Sequence, residues 1–241
     1  MRVFALDTAT NCCSIAIMDE EILLAEINLI SGETHSKHLM GMIKQVFDLS
    51  GCLLSDIDGF AVTRGPGSFT GLRIGISATK GLAMASGKSM VGVSVLDALA
   101  FQLSFTSFLI CPILDARKGE VYFALYRSCE GRLQKETEEQ VLTPKKAISK
   151  INEPCLFFGE GAKTYQKVIE EEKGGFAYFP SPSQNILRAS TVAIIGMDRF
   201  KKDMTDDIGE FVPHYIRKSD AELAGEKKFS NQKIIFVDNG N

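Results

Sequence analysis

Two aspartates, one glycine-rich block and a pair of histidines are the residues whose types and spacing could do chemistry. Asp7 and Asp115 each close a short apolar run, in Leu6-Asp7-Thr8-Ala9 and in Leu114-Asp115-Ala116-Arg117. An acid at such a turn suits a hard cation with oxygen ligands. It equally suits hydrogen bonding to the turn's own amides. The block Arg64-Gly65-Pro66-Gly67-Ser68-Phe69-Thr70-Gly71-Leu72-Arg73-Ile74-Gly75 feeds a helix, whose first N–H groups can receive an anion. It matches neither the P-loop nor the G-x-G-x-x-G pattern, so spacing alone makes it a weak phosphate signal. His35 and His38 are three apart, a spacing that can put two metal ligands on one face. No third ligand follows nearby, and no metal site is expected. No serine or cysteine nucleophile stands with a histidine base.

These residues need elements to hold them. Apolar and β-branched runs predict strands over 2–6, 13–18 and 21–29, a helix over 34–49, and a strand over 57–63. A helix over 69–86, a strand over 90–93 and a helix over 95–103 complete the first half. Near Phe105 the pattern restarts. Strands are predicted over 108–114, 120–127 and 133–138, then a helix over 144–150, a strand over 156–158 and a helix over 162–171. A last helix covers 191–200. In both halves an aspartate ends the first strand and a tight turn returns the chain as a hairpin. Coincidence between two apolar hairpins is the competing explanation; duplication is preferred. Strands followed by helices, twice, predict an α/β chain of two actin-like (ribonuclease H-like, ASKHA) lobes, each a mixed sheet with helices. The expected division is 1–103, 104–220 and a charged tail, 221–241. In such a fold Asp7, Thr8 and Asp115 mark a vestigial phosphate cleft between the lobes.

Two helices carry unusual faces. Over 34–49, Leu39, Met40, Met42, Ile43, Val46, Phe47 and Leu49 fill an arc close to half the circumference. Such an arc serves either a broad core face or a contact with another protein. In the next helix Gly71, Gly75 and Gly81 each cost about 1 kcal/mol relative to alanine. Gly71, Gly75 and Ala78 share a stripe on which another backbone can pack closely, and Leu72 lies beside it.

Composition sets the outer bounds. The 241 residues are 45% hydrophobic and carry 27 basic against 30 acidic side chains, a net charge of −3. That balance excludes a polycation and argues against free-standing nucleic-acid binding. Contact with nucleic acid through a partner stays open. The most apolar stretch, 90–114, is interrupted by Asp97, Gln102 and Pro112, so no membrane span is expected. The opening residues are too short an apolar run for a secretory signal. Six cysteines without a C-x-x-C pair read as reduced core residues of a cytoplasmic protein.

Three segments together carry a resemblance. Leu6-Asp7-Thr8-Ala9-Thr10, the block from Arg64 to Gly75, and Asp115-Ala116-Arg117-Lys118-Gly119-Glu120-Val121-Tyr122 resemble the bacterial TsaB (YeaZ) family. Pro213-His214-Tyr215-Ile216-Arg217 is similar to its late Pro-x-Tyr-x-Arg signature. The likeness runs from Met1 to about Lys218. It implies a scaffold subunit in tRNA threonylcarbamoyladenosine modification, paired with the catalytic paralogue TsaD and joined by the ATPase TsaE. The paralogue's metal-binding histidine pair would fall on Val95 and Leu99, neither of which can bind a metal. The resemblance therefore implies no catalytic residues and no cofactor in this chain, with nucleotide and metal on the partners. It further implies that Leu39, Met42, Ile43, Val46, Gly71, Leu72, Gly75 and Ala78 contact TsaD, and that tRNA is met only through the complex. Homodimerisation of the free chain stays open. An autonomous phosphotransferase working at Asp7 and Asp115 is the alternative. A metalloprotease is a distant third, because the histidine pair is missing.

Overall fold

In the computed structural model, which describes residues 1–217, each opening hairpin becomes the centre of its own sheet. β1 (Arg2–Asp7) and β2 (Cys13–Asp19) pair antiparallel, and β3 (Ile22–Leu29) continues the meander. β4 (Gly59–Gly65) and β5 (Ser89–Ser94) add in parallel on the other side of β1. A parallel pair needs a long crossover. α2 (Phe69–Ser86) makes it between β4 and β5, while α1 (Leu39–Ser50) links β3 to β4. The central strands are covered on both faces, which is why Val3 to Leu6 and Phe60 to Val62 read as unbroken apolar runs. Even-numbered β1 residues meet one helix layer: Phe4 stacks on Phe47 of α1 with ring centroids 5.8 Å apart.

The helix ends follow local chemistry. Ser68 caps α2, its Oγ accepting from Gly71 N at 3.2 Å. Gly51 and Gly87 end α1 and α2 at φ +67°. The expected helix over 34–49 begins as a 3-10 turn, His35–Lys37, before α1 proper.

The second half repeats the order. α3 (Val95–Gln102) leads into β6 (Leu109–Arg117) and β7 (Glu120–Phe123). β8 (Tyr126–Cys129) and β9 (Arg132–Lys135) form a side hairpin, and β10 (Gln140–Leu142) pairs with β7. After α4 (Pro144–Ile148), β11 (Cys155–Phe158) adds in parallel to β6. α5 (Glu160–Thr164) and α6 (Gln166–Lys173) precede the edge strand β12 (Ala177–Tyr178). The main paths are β3-β2-β1-β4-β5 and β10-β7-β6-β11-β12. Meander, parallel neighbour and parallel edge recur in the same positions, as duplication requires.

Three expectations need correction. The third strand of the second sheet is β10, not 133–138, whose start lies instead in the side hairpin. The helix over 162–171 is broken at Tyr165, where φ is −106° and ψ 19°. The last helix of the 104–220 stretch does not pack on the second sheet. α7 (Ala189–Lys201) returns to the first lobe and packs on β1, β2, β4 and β5. The reason is burial. α1 and α2 cover one face of that sheet, and the other face would be wet without α7. Gly196 permits the approach, since a Cβ there would lie 2.7 Å from the Ala61 methyl. Phe211 also joins the first lobe's core. The tail, 221–241, lies outside the described residues. Among the described residues no helix is long and apolar enough to cross a membrane.

Candidate functional site

Asp7 ends β1 fully buried, and its side-chain hydrogen bonds come from its own turn and from β4. Its Oδ1 accepts from Ala9 N at 3.0 Å and from Thr63 Oγ1 at 2.7 Å, and its Oδ2 accepts from Thr10 Oγ1 at 3.0 Å. Burial pushes this carboxyl above the ordinary carboxylate range, against the pull of those hydrogen bonds. Thr8 Oγ1 donates to Gly71 O at 2.8 Å, and Ser68 N donates to Ala9 O at 2.8 Å. The glycine-rich block thus wraps the β1–β2 turn. A Cβ at Gly67 would lie 2.5 Å from Ala9 O, and one at Gly71 or Gly75 would overlap Thr8. The block's glycines are spent on closeness to this turn.

The matching turn of the second lobe is more open. Asp115 is half-buried, and its Oδ1 accepts from Arg117 N at 2.8 Å. The cleft also holds an acid that its motif concealed. Glu160 opens α5 between two close-packed glycines, and its Oε2 accepts from Asn11 N of the first lobe at 3.3 Å. Burial raises its pKa, and the nearby charges of Asp115 and Asp7 raise it further. In the sequence Gly159-Glu160-Gly161 lies between the predicted strand over 156–158 and the predicted helix over 162–171, and nothing local marks the side chain as spanning two lobes.

The structure holds Asp7 and Thr8 in one turn and places Glu160 within electrostatic reach of both Asp7 and Asp115. It separates the histidines: His35 Nε2 meets Thr10 O at 2.9 Å, and His38 Nε2 meets Glu33 Oε2 at 2.7 Å. No group of three or more metal-ligating side chains clusters among the described residues. Val95 and Leu99 are 0% and 1% exposed on α3.

The expected partner-contact residues fall mostly inside the lobe. Leu39, Met42, Ile43, Val46 and Leu72 are at most 5% exposed, and Gly71 and Gly75 pack on Thr8. Ala78 keeps part of its surface. Core burial thus explains Leu39, Met42, Ile43 and Val46, but not Met40 and Leu49 at the edges of the same arc. Beside their charged and polar residues, these helices show to solvent Met40, Gly41 and Leu49 on α1, and Ser77, Gly81, Met84 and Ala85 on α2.

The late Pro-x-Tyr-x-Arg segment forms a strap across the lobes. His214 N donates to Arg64 O at 2.6 Å, and the Tyr215 ring stacks on Phe69 at 4.7 Å. Arg73 Nε donates to Tyr215 Oη at 3.2 Å. Arg217 Nη1 then donates to Ala116 O and Glu120 Oε2, each at 3.1 Å, in the second lobe.

The family model for TsaD, the tRNA N6-adenosine threonylcarbamoyltransferase, matches residues 29–225. The tRNA threonylcarbamoyladenosine biosynthesis protein TsaB of Bacillus subtilis is 30% identical, over 92% of this chain and 96% of its own. This chain belongs to the TsaB (YeaZ) family. YeaZ from Pseudomonas aeruginosa is 26% identical in a solved structure, with a TM-score of 0.76 over 89% of this chain and 99% of that one. An activator of 2-hydroxyisocaproyl-CoA dehydratase from Clostridium difficile shares the fold at 14% identity, with a TM-score of 0.51 over 84% and 97%. The architecture of TsaB in this chain is therefore actin-like, two mixed α/β lobes.

Replacing Asp7 tests whether it is a fold acid. Asp7→Ala strands buried donors, each costing about 1–3 kcal/mol, and should lower stability by about 3 kcal/mol in total. Asp7→Asn keeps two acceptor contacts and should stay within about 1 kcal/mol of wild type at neutral pH. A carboxyl with a raised folded pKa binds its proton more tightly when folded. Its stabilising contribution therefore grows as pH falls towards the ordinary carboxylate value and is lost as pH rises through the folded value. Wild type should gain on the Asn variant as pH falls from neutral towards the ordinary carboxylate value, in paired thermal melts. A constant difference across that range would contradict the assignment.

Proposed function

We propose that this chain acts in tRNA threonylcarbamoyladenosine biosynthesis as a non-catalytic subunit that binds a TsaD-type partner through α1 and α2. The observation that carries the reading is the outward face of α2. Ile74, Ser77, Ala78, Gly81, Met84 and Ala85 form a stripe of small or apolar groups on that side. Lys80, the one charge within this stretch, turns away to donate to Gly209 O and Phe211 O. Small residues let a partner helix approach closely, and the exposed methionine adapts to it.

The cleft supports the non-catalytic part. Asp7 is consumed by its own turn, and Val95 and Leu99 occupy the positions where the paralogue's histidines would stand. Nucleotide and metal belong to the partners, TsaE joins the pair, and tRNA is reached through the complex in the cytoplasm. A second copy of the chain on the same face would compete with the partner.

Met84 is 69% exposed, so Met84→Glu should leave the melting temperature unchanged. In the complex the new charge must be desolvated, which costs several kcal/mol. Binding to purified TsaD should weaken at least tenfold, which needs only about 1.4 kcal/mol. Calorimetric titration reads this directly, and wild-type affinity would move the contact elsewhere. In reconstitution with TsaD, TsaE and the enzyme that makes the threonylcarbamoyl-adenylate, tRNA modification should require this chain. Transfer by the chain alone would refute the scaffold role.

A further inference from the structure

Between the lobes lies a cavity of about 470 Å³, bounded by the β1–β2 turn, α3, β6, β11, α5 and the segment before α7. That volume falls in the range of small-molecule sites, roughly 300–1,000 Å³. In an actin-like fold this is where a nucleotide would be sought, and three observations speak against one here. The amides of the first turn are already committed: Ala9 N donates to Asp7, Cys12 N to Thr10 Oγ1, and Asn11 N to Glu160. The last of these puts a carboxyl where a phosphate oxygen would accept. Asp7 and Asp115 add negative charge beside it. Among the described residues lining the cavity, the charged ones are one cation, Lys163, and one anion, Glu160.

Apart from Thr10, Asn11, Gln166 and Asn185, the remaining wall is largely apolar and comes from both lobes. Ile30, Leu99 and Ile186 belong to the first lobe's side, where Gln102 Nε2 of α3 donates to Ile186 O at 2.8 Å, and Leu114, Phe157 and Phe179 come from the second. We propose that this cavity binds a compact uncharged molecule, largely apolar or aromatic, with one hydrogen-bond donor directed at Glu160. A ring system would replace water on the apolar walls, and the donor would satisfy the carboxyl. A fixed negative charge would meet Glu160 at close range and lose. The site is independent of the partner face on α2, so this proposal and the scaffold reading stand or fall separately.

The test is a fluorescence titration of the full chain with N-phenyl-1-naphthylamine, an uncharged aromatic with one N–H. Saturable 1:1 binding at micromolar concentration is expected. The sulfonated analogue, 1-anilinonaphthalene-8-sulfonate, should bind at least tenfold more weakly, and millimolar Mg-ATP should not displace the neutral probe. Ile30→Asp and Ile186→Asp place a charge at two separate points of the lining and should each weaken the probe at least tenfold. Ile22→Asp is the control, because Ile22 is as exposed as Ile30 (64% against 63%) but lies outside the cavity. It should bind the probe as wild type does. Absence of saturable binding, displacement by Mg-ATP, equal affinity for the sulfonate, or equal losses in all three variants would each overturn the proposal.

Discussion

Met42→Glu is expected to unfold the first lobe, not merely to loosen a partner. Met42 is 5% exposed and belongs to the apolar cluster between α1 and the sheet. Removing such a side chain costs about 2–5 kcal/mol by itself. The carboxylate that replaces it enters a site with no partner charge, and an uncompensated buried charge is among the few causes of losses above about 4 kcal/mol. A domain holds only about 5–15 kcal/mol in all. Far-ultraviolet circular dichroism and a thermal melt should show a loss of native structure at 37 °C. A native-like melt combined with lost partner binding would return Met42 to the interface.

Gly71→Val should destabilise the chain by about 3 kcal/mol or more. Its Cβ would overlap the Thr8 carbonyl oxygen, a backbone atom that cannot swing aside. Overpacking costs about 1–3 kcal/mol and occasionally more. The hydrogen bond from Thr8 Oγ1 to Gly71 O is lost with the displacement, worth about 0.5–1.5 kcal/mol. At this chain length 1 kcal/mol moves the midpoint by about 2–4 °C, so a drop of about 6–12 °C is expected. Gly81→Ala is the contrast. Nothing lies within 4 Å of a Cβ there, and helix propensity favours alanine by about 1 kcal/mol. It should hold or gain stability. If Gly71→Val melts like wild type while binding to TsaD fails, the glycine stripe serves the partner after all.

These two positions show how far the residues alone could be read. The arc of Leu39, Met42, Ile43 and Val46 was legible as a period, but period gives direction only relative to the helix axis. It cannot say whether a sheet of the same chain or a second protein lies opposite. Here β2 and β3 lie opposite, and the arc is core. The glycines at 71 and 75 were likewise legible as a demand for close approach. What approaches is a turn more than 60 positions earlier, a fact that no local spacing carries.

By itself the sequence determined the two-lobe architecture, the Asp7 and Asp115 hairpins, the bounds of α2, and a glycine block specific enough to name the family. Those features are local: periodicity, turn chemistry and the φ freedom of glycine act within a few residues of one another. The tertiary structure alone decided that α7 crosses back to cover the first sheet, that Asp7 is buried by Thr63, and that Glu160 reaches Asn11 at a separation of 149 residues. It also decided that α2 shows Gly81 and Met84 to solvent while hiding Gly71 and Gly75. Each of these depends on which surface is left bare after the neighbouring elements have packed. Burial is a property of the assembled layers, and no stretch of chain carries it alone.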